Sequence, residues 1–179
     1  MSILTAPNEF VVVDVETTGF KPEEGHVIIE VAAQKMLGQE VADQFQALVQ
    51  TKRLLEPGSV EVNGITQAML AAEGKQEEEV FPMLREFLSD SVLIGHNIPF
   101  DLGFLNKHFG LLGLPALSNN TLDTLELARR YLIIPSYSLE SVAQYLHVPQ
   151  PTAHRALADV ETTRQVFLKL VERALKVGR

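Results

Sequence analysis

A chain of 179 residues, 46% apolar and 21% charged, is long enough to bury one core without staples, so one domain over residues 1–179 is expected. It has no cysteine, which excludes disulfides, zinc–thiolate centres and thiol nucleophiles and suits a reducing cytoplasm. The formal charge of −8 argues against gripping nucleic acid by bulk electrostatics, but not against an enzyme whose bound cations reverse the sign locally.

No stretch approaches the roughly 20 apolar residues of a membrane span. The opening Met1-Ser-Ile-Leu-Thr-Ala-Pro7 lacks the basic and long apolar regions of a signal peptide. No membrane partner and a cytoplasmic location are therefore expected.

Taken in order, the first element is Phe10-Val-Val-Val-Asp14-Val-Glu16-Thr-Thr-Gly19. Its β-branched run predicts a strand buried on both faces. Strand side chains alternate, so Asp14 and Glu16 point the same way. Two carboxylates on a buried strand repel and lose hydration, at about several kcal/mol per ion unless paired. A divalent cation is the simplest remedy, and Gly19 lets the chain turn beside it. Lys21–Gly25 reads as a turn, His26–Met36 as a second strand, and Val41–Gln50 as a third. Their short connections leave no room for crossover helices and imply an antiparallel meander. His26, after a polar turn, is expected in solvent.

Leu55–Ser59 reads as a loop. In Asn63-Gly64-Ile65-Thr66, Gly64 permits an unusual backbone angle or close approach of a ligand. Thr66 is placed to cap a helix through Ala72. Glu77–Ser89 is amphipathic, with Val80, Phe81, Leu84, Phe87 and Leu88 on its core stripe. Ser91–Gly95 suits a fourth strand. Asn97 is placed to cap the helix after it, with Pro99 and Asp101 in its first turn. Asn120–Thr124 reads as a short strand, or as the entry to a helix capped by Asp123 and running to about Tyr131. After Pro135, Ser138 starts a helix over Leu139–Leu146, which Pro149 and Pro151 end. The last helix is expected over Ala156–Lys176, with Val160, Thr163, Phe167, Leu170, Val171 and Ala174 inward.

In His154-Arg-Ala-Leu-Ala-Asp159, five helical steps rotate by about 500°, leaving the two side chains roughly 140° apart. If both serve one site, Asp159 projects from the helix and His154 lies on the loop before it. A histidine there suits a proton carrier better than a rigid metal ligand. Asp14, Glu16, Asp101 and Asp159 are hard oxygen donors with no thiolate among them, a set for Mg²⁺ or Mn²⁺. Two such ions roughly 3.5–4 Å apart hold the attacking and departing oxygens of a phosphoryl displacement, and His154 has the intrinsic pKa of a base. No glycine-rich phosphate loop or Ser-His-Asp spacing offers a rival site. Lys52, Arg53, Arg129, Arg130 and Arg155 are scattered, so no basic binding face is indicated.

Asp14-Val-Glu16-Thr-Thr-Gly, His96-Asn-x-x-Phe-Asp101 and His154-x-x-x-x-Asp159, in this order and at these intervals, resemble the DEDDh 3′→5′ exonucleases. That family includes the proofreading epsilon subunit of the bacterial replicative polymerase. The resemblance runs from about Val11 to Leu170. It implies a ribonuclease H-like α/β fold, a central mixed five-stranded sheet flanked by helices. It also implies that Asp14, Glu16, Asp101 and Asp159 hold two Mg²⁺ or Mn²⁺ ions, with His154 as general base. Thr17 and Thr18 would touch the terminal nucleotide. Asn63, Gly64 and Ile65 would line the same pocket, with asparagine where the family usually has histidine. Asn97 takes the place of a polar neighbour of the site, and Asp123-Thr124 reads as structural. The implied activity is removal of 5′-monophosphates from the 3′ end of single-stranded DNA, in proofreading or repair. The alternatives are an RNA-directed exonuclease and a non-catalytic module docking on a polymerase. The chain stops just after the last helix, without the polymerase-binding tail of epsilon-like subunits. A free-standing nuclease, an excised domain, or a partner bound through the folded surface is expected.

Overall fold

The computed structural model of the chain describes residues 9–150 and 154–177. The Met1–Pro7 segment, Pro151 and the final Gly178–Arg179 lie outside the described residues. The valine run forms β1 (Phe10–Thr17), which pairs antiparallel with β2 (Ile28–Leu37); β2 pairs antiparallel with β3 (Glu40–Leu48). This is the expected meander. A 3-10 turn at Pro22–Glu24 joins the first two strands. Parallel to β1 run β4 (Val92–Gly95) and then β5 (Thr121–Asp123), so the five-stranded mixed sheet has the order β3-β2-β1-β4-β5. β1 is central, which explains why its residues are apolar on both faces.

The helices are α1 (Pro57–Asn63), α2 (Gln67–Glu73), α3 (Glu77–Leu88), α4 (Ile98–Leu111), α5 (Thr124–Tyr131), α6 (Leu139–Tyr145) and α7 (Ala156–Val177). Helix α1 is a departure from the sequence reading, which has a loop at its start. It has no apolar stripe to announce it. Pro57 occupies its first turn, where the missing N–H costs nothing, and Gly64 closes it at φ +69°. The expected caps form at Thr66, whose Oγ1 accepts from Met69 N–H, at Asp123 and at Ser138. Asp123 is thus both the end of β5 and the cap of α5. The two readings of that segment are one structure.

The alternation along β1 divides the core. Val11, Val13 and Val15 pack with Phe81, Leu84 and Leu88 of α3 and with Phe104 and Phe109 of α4. Phe10 and Val12 face the other way, onto Ala156, Val160 and Phe167 of α7. A third cluster joins α5 and α6 to α7 through Ala128, Val142, Val166 and Leu170. Among the described residues, no helix is long and apolar enough to cross a membrane.

Candidate active site

The β1 face under α7 changes character along its length. Phe10 and Val12 are buried; Asp14 and Glu16, next on the same face, are half-buried. The first turn of α7 crosses there and supplies Asp159, which is buried. One carboxylate oxygen from each of Asp14, Glu16 and Asp159 lies within 4.8 Å of the other two. Asp101 arrives by another route. Pairing between β1 and β4 ends at Val12–Ile94, so Val15 N–H has no strand partner on that side. Asp101 Oδ1, from the first turn of α4, accepts that N–H at 3.1 Å.

Burial of these acids, and then their crowding, shows in their proton affinities. Burial, then the charges of Asp101, Glu16 and Asp159, push Asp14 well above the carboxylate range. Glu16 is pushed up to about 8, mainly by burial and then by Asp159 and Glu30; a hydrogen bond from Asn63 and the nearby Arg155 oppose the shift. Asp101 rises to about 8 through burial, against its bond from Val15 N–H. Burial also raises Asp159, although Gln150 and the His154 N–H donate to it. The cluster therefore lacks positive charge, and hard oxygen donors at this spacing fit a divalent cation.

His154 lies outside α7, on its approach, as the spacing requires. It is exposed, with φ +60°, and its N–H donates to Asp159 Oδ2 at 2.9 Å. Asp14, Glu16, Asp101, His154 and Asp159 line one cavity of about 240 Å³. A larger groove of about 510 Å³ along the outer face of α7, between Gln39 and Leu175, has no such cluster.

The residues expected to meet a nucleotide sit beside this cavity rather than in its wall. Thr17 Oγ1 donates to Gly19 O at 2.6 Å. Thr18 is buried and its Oγ1 accepts from Val27 N–H at 3.1 Å. Asn63 is also buried; its Oδ1 accepts from Ile65 N–H at 3.0 Å. Ile65 packs under the surface with Ile29 and Leu70. Ser59, on α1, donates to Thr17 O at 3.2 Å and so ties the Asn63–Ile65 turn to the end of β1. A Cβ on Gly19 would overlap the His26 imidazole, so close approach is a reason for glycine there. His26 is accordingly half-buried, not simply solvated.

Asn97 corrects one expectation. It occupies the N-cap position of α4 but adopts φ +66°, and its side chain makes no capping bond. Its backbone N–H instead donates to Asp123 Oδ1 at 2.9 Å, which supports the structural reading of Asp123.

Two residues of the site were not given a role by the sequence reading. His96 Nε2 lies 2.8 Å from Tyr137 O and Nδ1 lies 2.9 Å from Thr124 Oγ1, tying the chain that leads into the Ser138–Glu140 wall of the cavity to the end of β4. Its place in the Asp101 motif was the available signal. Glu30 is fully buried opposite Glu16 in the β1–β2 register. A lone acid inside Val-Ile-Ile-Glu-Val-Ala-Ala was the signal there.

A family model described as Exonuclease matches residues 11–167. The chain belongs to the exonuclease family. This exonuclease is 42% identical over 171 residues to the PolC-type DNA polymerase III of Thermotoga maritima, covering 94% of the present chain and 12% of the relative. It is 34% identical over 176 residues to the PolC-type enzyme of Bacillus cereus, covering 98% and again 12%. The chain thus spans about an eighth of the length of these relatives. Among solved structures it resembles E. coli Exonuclease I in complex with a dT13 oligonucleotide, with TM-score 0.84, 22% identity, and coverage of 95% of this chain and 42% of the other. It also resembles Exonuclease X in complex with 5′ overhanging duplex DNA, with TM-score 0.72, 23% identity and 91% of each chain covered. The fold is the ribonuclease H-like one that the three motifs led one to expect, a mixed five-stranded sheet flanked by helices.

Proposed function

We propose that this exonuclease hydrolyses the last phosphodiester at the 3′ end of single-stranded DNA, releasing nucleoside 5′-monophosphates in proofreading or repair in the cytoplasm. The carrying observation is that Asp14 and Glu16 of β1, Asp101 of α4, and His154 and Asp159 around the start of α7 line one cavity. Asp14, Glu16 and Asp159, with Asp101 beside them, would hold two Mg²⁺ or Mn²⁺ ions. When bound, such ions supply Lewis-acid activation of water and charge stabilisation at the departing oxygen.

The chain's own residues then have separate tasks. His154 accepts the proton of the attacking water at an imidazole nitrogen; its exposed ring can exchange that proton with solvent. Asp159 also orients His154, through the bond from its backbone N–H. Thr17, Thr18, Asn63, Gly64, Ile65 and Asn97 frame the entrance for the terminal nucleotide. With Thr18 and Ile65 buried, their contribution is through main-chain groups and the shape of the turn. The PolC-type relatives support a polymerase as the partner, the present chain matching one stretch of theirs.

The test is incubation of pure protein with 3′-labelled and 5′-labelled single-stranded DNA and RNA, in Mg²⁺, Mn²⁺ or EDTA. Stepwise loss of 3′ nucleotides from DNA, stopped by EDTA, is expected. Preferential loss from RNA would move the substrate assignment, and no loss from either would end the catalytic reading.

A further inference from the structure

Glu30 has no task in the chemistry above, yet it occupies an expensive position. It is a fully buried carboxylate across the β1–β2 ladder from Glu16, on the face of the acid cluster. After burial itself, Glu30 is one of the charges that push Glu16, Asp14 and Asp159 upward. Burial acts on Glu30 too, but its donors outweigh this and hold it below its ordinary value.

Those donors come mostly from one place. Arg155 presents Nη2 to Oε1 at 2.8 Å and Nε to Oε2 at 3.0 Å, a bidentate fork. Ala156 N–H donates to Oε2 at 3.1 Å, and Gln46 Nε2 to Oε1 at 3.0 Å. Arg155 and Ala156 directly follow His154. Ala156 is the first residue of α7, where backbone N–H groups have no intrahelical partner. Glu30 supplies from β2 what a local N-cap side chain usually supplies.

His154 is therefore held from both sides: Asp159 accepts its N–H, and Glu30 anchors the two residues after it. Its φ of +60° is the left-handed region, which is unfavourable for a non-glycine residue and persists only where the surroundings enforce it. Among the described residues the imidazole makes no hydrogen bond, so what constrains it is the backbone that sets the direction of its Cα–Cβ bond.

We propose that Glu30 and Arg155 form a positioning pair that enforces the left-handed backbone at His154 and so aims its imidazole into the acid-lined cavity. This rests on His154 as the proton acceptor. An ion pair that serves only stability would act equally on the enzyme with and without that imidazole.

A double-mutant cycle separates these. Glu30→Gln should lower kcat on single-stranded DNA about 10- to 100-fold with KM changed less than about twofold. In a His154→Ala background the same substitution should lower kcat no further. An equal further loss in that background would overturn the proposal. The metal-free readout is the Cε1–Hε1 resonance of His154 by NMR, which should move toward its position in an unstructured peptide in Glu30→Gln. An unmoved resonance would also overturn it, whether or not DNA is degraded; loss of DNA hydrolysis by the unsubstituted protein, by contrast, would count against the proposed function itself. Arg155→Lys keeps the charge but loses the fork, and serves if Glu30→Gln does not fold. It should show the same non-additivity and the same movement of the resonance.

Discussion

Replacing Glu16 with glutamine should stabilise the metal-free protein while abolishing its activity. The folded protein holds the Glu16 proton up to about pH 8, against an ordinary value of 4.5. Below 4.5 the folded and unfolded states are both protonated, and the group has no effect on their difference. Between 4.5 and 8 only the unfolded state ionises, so stability falls as pH rises; above 8 the loss is complete. That interval corresponds to a penalty on the order of 3–5 kcal/mol. For a chain of this size each kcal/mol moves the melting temperature by about 2–4 °C. Thermal melts in EDTA from pH 5 to 9 should therefore show the unsubstituted protein losing stability steadily. Glu16→Gln should have a shallower slope and melt at least about 5 °C higher at pH 9. A residual slope is expected from Asp101, which is also pushed up to about 8. In saturating Mn²⁺ the order should reverse, because the variant has lost a ligand. Parallel pH slopes for the two proteins in EDTA would refute the argument that burial, with the neighbouring acids, disfavours an ionised Glu16 in the absence of a cation.

His154→Ala should keep the fold and Mn²⁺ binding, measured by circular dichroism and calorimetry, but lose about 10²–10⁴-fold in turnover near neutral pH; full turnover would remove it as proton acceptor. Asp14→Ala should lose turnover and also weaken Mn²⁺ binding, so an unchanged calorimetric isotherm would exclude it as a ligand. Gly19→Ala should cost about 1–3 kcal/mol because its methyl overlaps the His26 imidazole. Adding His26→Ala should recover most of that loss in denaturant melts, and purely additive losses would place the strain elsewhere. Phe167→Ala, far from the acids but packed on Phe10 with ring centroids 6.3 Å apart, should cost about 3–5 kcal/mol, and a neutral effect on unfolding would contradict the assignment of the second core face.

The legible parts of this protein are those with strong local periodicity. The valine run at Val11–Val13, the stripe of α3 and the long stripe of α7 announce buried elements because hydrophobic burial acts on side chains at fixed intervals. Caps at Thr66, Asp123 and Ser138 are legible because their bonds reach only two or three residues ahead. Helix α1 escapes that reasoning: its residues are largely exposed, and its ends are set by Pro57 and Gly64 instead of a stripe. At Asn97 the right residue occupies the right position, but the tight exit from β4 puts it at φ +66°, and its side chain makes no capping bond.

By itself, the sequence determined which chemistry was available: oxygen donors without thiolates, and a histidine that cannot share a helix face with Asp159. It also set Asp14 and Glu16 side by side, since strand alternation is a local rule. Only the tertiary structure decided that Asp159 joins those two within 4.8 Å and that Asp101 reaches them by filling the gap where β4 stops pairing. The same holds for Glu30, which bonds to residues 125 and 126 positions away. Contacts across such separations depend on how sheet and helix pack, and side-chain spacing along the chain carries no record of them.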